Sequence, residues 1–124
     1  VIKAAGEARK RYGGGMRQSG IIAAGALYGL EHNLARLGED HAHAQRFAAI
    51  VSEAKHAKVV PPERNIVMID LPAETDSMTF AKGAMARGVR VSVWTASRVR
   101  AVMHLDVTLA EIERAAMALR DLLN

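Results

Sequence analysis

Two stretches of this chain carry residue types that could handle an anion. In the first, Lys10 precedes Gly13-Gly14-Gly15 and Arg17 follows it. Glycine reaches backbone angles closed to other residues and lets the main chain come close to another group. Backbone N–H groups at the start of a helix attract anions, and two flanking cations would add to that attraction. A plain linker between helices with solvated charges explains the same string equally well. In the second stretch, Arg98, Arg100, Val102 and His104 alternate with Val99, Ala101 and Met103. On a strand the first set shares one face. A guanidinium fork there could grip a carboxylate through two parallel hydrogen bonds. The competing account is a solvated sheet face with ordinary surface arginines.

Other chemistries find less support. The chain has no cysteine, which excludes disulfides, thiolate metal sites and cysteine nucleophiles. His41 and His43 stand two apart, a spacing that diverges on a helix, and His32 and His56 add no ligand pattern. No metal site is expected. There is no GxSxG elbow. Asp106 and Glu111 near His104 could be cast as an acid–base set, but Glu111 already reads as part of a helix cap.

The elements that must position these residues can be read from pattern. Residues 1–12 suit a basic helix, with Lys3, Arg9, Lys10 and Arg11, and the three glycines break it. Residues 16–37 read as a second helix. Its Ile21–Leu30 segment is apolar on nearly every face, which predicts a buried helix. Gly38 is a plausible stop. Glu39 and Asp40 suit the positive end of a third helix, whose Ala44, Phe47, Ala48, Val51 and Ala54 form a stripe for burial. Pro61-Pro62 ends that region. Ile66–Ile69 reads as a strand, residues 78–87 as a helix ended by Gly88, and residues 89–94 and 98–104 as two more strands. Thr108 and Glu111 form a capping box for a C-terminal helix carrying Leu109, Ile112, Ala116, Leu119 and Leu123. The fold class is therefore α/β: a small domain with a roughly three-stranded sheet covered by helices.

The 124 residues suit one modest globular unit, with half of them hydrophobic and a quarter charged. The net charge of +4 points to an anionic partner, nucleic acid or a small phosphate or carboxylate. Two Phe, two Tyr and one Trp are too few to stack single-stranded bases, so nucleic acid is not expected. The longest apolar run is too short to span a bilayer, and no membrane partner is expected.

The string GGGMRQSG, followed by IIAAGALYGLEHNLARLGEDHAHA, closely resembles the low-specificity L-threonine aldolase family. The later strings RNIVMIDL and RVRAVMHLDV resemble the same family in the same order, so the likeness covers nearly the whole chain. It implies an enzyme of the aspartate-aminotransferase fold that depends on pyridoxal 5'-phosphate and forms homo-oligomers, usually tetramers; a cytoplasmic location is expected, since the lack of cysteine suits a reducing compartment. It implies cleavage of β-hydroxy-α-amino acids such as L-threonine or L-allo-threonine to glycine and an aldehyde. By the same resemblance Arg100 would bind the substrate carboxylate, and Lys10 and Arg17 would lie near the cofactor and active site.

One departure shapes the expectation. The family's cofactor lysine follows a serine upstream of the triple glycine, and Lys3, Lys10, Lys55, Lys58 and Lys82 all lack that context. The resemblance thus predicts a C-terminal portion, inactive alone. Residues 1–37 would be the end of a large domain and residues 38–124 the small α/β domain. The missing large domain or a second chain would cover the apolar helix. The alternative is a non-catalytic α/β module that binds anions or nucleic acid through Arg9, Lys10, Arg11 and Arg17.

Overall fold

The computed structural model describes residues 1–124. The chain divides into two compact units, Val1–Ala35 and Arg36–Asn124. No helix is long and apolar enough to cross a membrane.

The first unit is two helices and a turn. Helix α1 spans Ile2–Arg11, and Arg9, Lys10 and Arg11 occupy its last turn, where cations complement the negative end of the helix. The glycines close it. Gly13 adopts a left-handed φ of 82°, and its N–H donates to the Lys10 carbonyl at 3.1 Å. The Gly14 N–H donates to the Arg9 carbonyl at 2.8 Å. This pair of bonds is a Schellman closure. A Cβ on Gly14 would sit 2.9 Å from the Arg9 carbonyl oxygen, so glycine is required there. Two of the N–H groups that the sequence offered to an anion are thus spent on ending α1.

Helix α2 runs Gly20–His32, shorter than the expected 16–37. Within these 124 residues the apolar helix finds no cover: α2 has no buried residue, and Ile21 is 83% exposed. Two short helices cannot enclose a core, whatever their composition.

The second unit has a core. A 3-10 turn at Leu34–Arg36 leads into helix α3, Leu37–Val51. Gly38 therefore lies inside the first turn of α3 and is not a stop. The chain has already turned at Asn33 and the tight helix after it. Strand β1 covers Lys58–Val60, β2 Ile66–Asp70, β3 Ser92–Thr95 and β4 Arg98–Val102; helix α4 covers Ser77–Ala86 and α5 Leu109–Leu122. The four strands are antiparallel in the order β1-β2-β4-β3.

The sheet has one strand more than the sequence suggested. Lys58-Val59-Val60 is too short to show alternation, and Pro61-Pro62, lacking N–H groups, ends it. The strand expected over 89–94 begins later, at Ser92. Gly88, with φ 78°, closes α4 through Val89 N–H to the Ala84 carbonyl and Gly88 N–H to the Met85 carbonyl. Val89 and Val91 pack against the core without joining the ladder.

One sheet face supplies Val67, Ile69, Val99 and Ala101 to the core, where they join Ala44, Phe47 and Val51 of α3, Phe80 and Ala84 of α4, and Ile112, Ala116 and Leu119 of α5. Caps fix the helix ends. Asp76 accepts from the Thr79 N–H at 2.8 Å, and Thr108 and Glu111 form the full capping box.

Candidate functional site: the open face of the sheet and its cleft

Period-two alternation leaves Met68, Asp70, Arg98 and Arg100 on the face opposite the core, and none of them is buried. Antiparallel register decides what each arginine meets. Asp70 stands opposite Arg98, while Arg100 stands between Met68 on β2 and Ser92 on β3.

Arg98 is consequently engaged. Its Nε and Nη2 grip the two Asp70 carboxylate oxygens, the longer bond at 3.1 Å. That fork holds the Asp70 carboxyl below its usual value, with burial opposing the shift and the charges of Arg98 and Lys58 adding to it. The same contact raises Arg98 above the ordinary guanidinium value. The sequence grouped Arg98 with Arg100 as a possible carboxylate receptor. Asp70 already fills that role for Arg98, and the register that pairs them was the missing signal.

Arg100 has no such neighbour. It makes no ion pair, and its buried Nε has no hydrogen-bond partner. A buried polar atom without a partner is costly, and no group of the chain offsets that cost at Arg100. Its guanidinium carbon lies 5.2 Å from the centroid of the Trp94 ring. Trp94 belongs to the 89–94 alternation read from the sequence, two residues from Ser92 on the face of Arg100, but alternation alone does not mark it as an arginine's neighbour.

Arg100 also lines a cleft of about 680 Å³ in the second unit. Phe47, Met103 and Ile112 contribute apolar wall, and Arg87, Arg90 and Arg114 contribute further cations against the carboxylates Asp106 and Glu111. Glu111 is committed to the α5 cap: the Thr108 hydroxyl and N–H, bonded to it, hold its carboxyl below the usual value. His104 lines the same cleft, beyond the end of β4, with Nδ1 3.5 Å from an Asp106 oxygen. Chemically the cleft is a cationic, part-apolar recess suited to a small organic anion.

Lys10 and Arg17 lie in the first unit, both exposed, Lys10 in the last turn of α1 and Arg17 in the turn before α2. His32 stacks on Tyr28 at 4.1 Å between ring centroids, within α2. No group of three or more His, Asp or Glu side chains is arranged to hold a metal ion.

Comparison with known proteins adds independent findings. A profile of the beta-eliminating lyase family matches residues 1–74. The chain is 38% identical over 115 residues to a low-specificity L-threonine aldolase of Escherichia coli, covering 93% of this chain and 33% of that protein. It is 30% identical over 115 residues to low-specificity L-threonine aldolase 1 of Arabidopsis thaliana, covering 90% and 32%. The chain thus spans about one third of the length of these relatives. Among solved structures, an α-aminoadipate aminotransferase from Thermus thermophilus, complexed with N-(5'-phosphopyridoxyl)-L-leucine, superposes with a TM-score of 0.62 at 16% identity, over 77% of this chain and 27% of that one. A decarboxylase from Sulfurospirillum multivorans gives 0.57 at 20% identity, over 66% and 24%. These likenesses establish a shared fold.

Proposed function

The chain belongs to the beta-eliminating lyase family, and from that premise we propose that it is the C-terminal portion of a pyridoxal-phosphate-dependent threonine aldolase. The observation that carries the reading is the guanidinium of Arg100, held on a strand of the sheet without an ion-pair or hydrogen-bond partner. The proposed substrates are β-hydroxy-α-amino acids of the L-threonine and L-allo-threonine type, released as glycine and an aldehyde. The resemblance to threonine aldolases along nine-tenths of the chain supports that class.

The residues present fit this chemistry in part. The Arg100 guanidinium has no acceptor within the chain, and a substrate carboxylate at its outer nitrogens would supply one. When bound, pyridoxal phosphate supplies the electron sink that carbon–carbon cleavage needs. This chain's own contribution is orientation. Arg100 fixes the carboxylate end of the substrate, which sets the direction of the scissile bond. Lys10 and Arg17 offer positive charge to the anionic groups of cofactor or substrate. The lysine that carries the cofactor belongs, in this reading, to the large domain of the whole protein. Residues 1–37 close that domain, and residues 38–124 form the small one. Ile21, Ile22, Leu27 and Leu30 of α2, all exposed here, are the face that the large domain or a second chain of a homo-oligomer would cover.

The test is an aldehyde-release assay with L-threonine and L-allo-threonine in the presence of pyridoxal phosphate. The 124-residue chain alone should release no aldehyde. The whole polypeptide should cleave both substrates, and Arg100→Gln should raise KM by about ten- to a hundredfold, the loss expected for one charge-assisted hydrogen-bond pair. An unchanged KM would remove Arg100 from the site.

A further inference from the structure

We infer that Trp94 is the positioning residue for Arg100, its indole face holding the guanidinium in the orientation that receives a carboxylate. The inference rests on the reading of Arg100 as the carboxylate anchor. Three observations carry it.

The first is the contact itself: the Arg100 guanidinium carbon is 5.2 Å from the Trp94 ring centroid, within the range of a cation–π attraction. The second is the absence of any competing hold. The cross-strand positions beside Arg100 are Met68 and Ser92, which offer no charge, and no carboxylate pairs with it. A long side chain with no partner loses orientation to its own rotamer freedom, and an aromatic face restricts that freedom without occupying the N–H donors. The third is the contrast with Arg98 two residues away. Arg98 is held by Asp70, and that hold consumes its fork. An ion pair fixes an arginine by neutralising it; a ring fixes it and leaves it free to bind.

Alternation places the ring: Ser92 stands opposite Arg100, and Trp94, two residues on, shares that face beside a register shift between Val93 and Thr95. Trp94 stays 53% exposed, so the contact is a stack at the surface and not a by-product of core packing.

Trp94 is the sole tryptophan of the chain, so the stack can be read by fluorescence without activity. In the 124-residue chain, Arg100→Gln should shift the Trp94 emission and raise its quenching by acrylamide, because one ring face is uncovered. Arg100→Lys, which keeps a cation, should fall between. Identical emission and quenching in wild type and Arg100→Gln would overturn the stack. In the whole enzyme with pyridoxal phosphate, Trp94→Leu should raise KM for the amino acid about two- to fivefold with little change in kcat, and Trp94→Phe should restore most of the loss. The double variant Trp94→Leu/Arg100→Gln should be no worse than Arg100→Gln alone, since a residue that acts through Arg100 has nothing left to act on. Additive losses, or an unchanged KM in Trp94→Leu while Arg100→Gln is impaired, would overturn the positioning role and leave Arg100 as anchor. An unimpaired Arg100→Gln would overturn the anchor and the inference together.

Discussion

Helices α2 and α3 have comparable length and sit in successive stretches of the chain, yet they end in opposite states. Helix α2 is the more apolar of the two and buries nothing; α3 carries His41, His43, Gln45 and Arg46 and buries Ala44, Phe47, Ala48, Ile50 and Val51. Apolar composition creates a demand for burial, but a facing surface must supply it. In the second unit the inner faces of β2 and β4 meet the stripes of α3 and α5. In the first unit no third element completes a core.

That contrast can be broken by paired truncations. Phe47→Ala, at a site only 2% exposed, should cost about 3–5 kcal/mol of unfolding free energy in urea, following the usual loss for a buried aromatic. Leu27→Ala in α2, at 54% exposure, should change it by no more than about 0.5 kcal/mol. A large loss from Leu27→Ala would show that the first unit joins the cooperative fold. Smaller effects sharpen the picture inside the second unit. Thr108→Ala removes the cap of α5 and should cost about 1 kcal/mol by the same measurement. An unaltered stability would mean that the core alone holds that helix end.

The smallest effect is electrostatic and depends on pH. Asp70 has its folded value lowered by Arg98. The stability it contributes is therefore fully present above the unfolded carboxylate value of about 3.9, and is lost as pH falls through the lower folded value. Asp70→Asn should flatten the acid limb of a stability–pH curve and leave the neutral region slightly lower, since both partners are partly solvated. A wild-type acid limb reproduced in the variant would assign it to other carboxylates.

Much of the second unit was legible in the sequence. The capping box, the Gly88 closure and the stripes of α3 and α5 all follow from local rules, and the structure contains each of them, except that Leu109 of the α5 stripe is exposed. Strand β1 was not, because a three-residue strand takes its identity from pairing with β2 and not from its own pattern. The site divides in the same way. Arg100 could be placed on a strand face from alternation alone. That Arg98 is neutralised while Arg100 is free depends on which residue stands across the ladder, and sequence spacing does not carry register. The triple glycine is a third case. Its composition allows either an anion-binding turn or a plain linker, and only the bonds from Gly13 and Gly14 back to α1 show that these two N–H groups are already used.

The two borders of the sheet have a consequence for solubility. Strand β1 is short, begins at Lys58 and runs into Pro61-Pro62; strand β3 is four residues long and is disrupted beside Trp94. An edge that is brief, charged, proline-stopped or bulged is a poor template for a foreign strand. Zipper-like growth from either border is disfavoured, and crowding the domain to high concentration should not seed cross-β aggregates from this sheet.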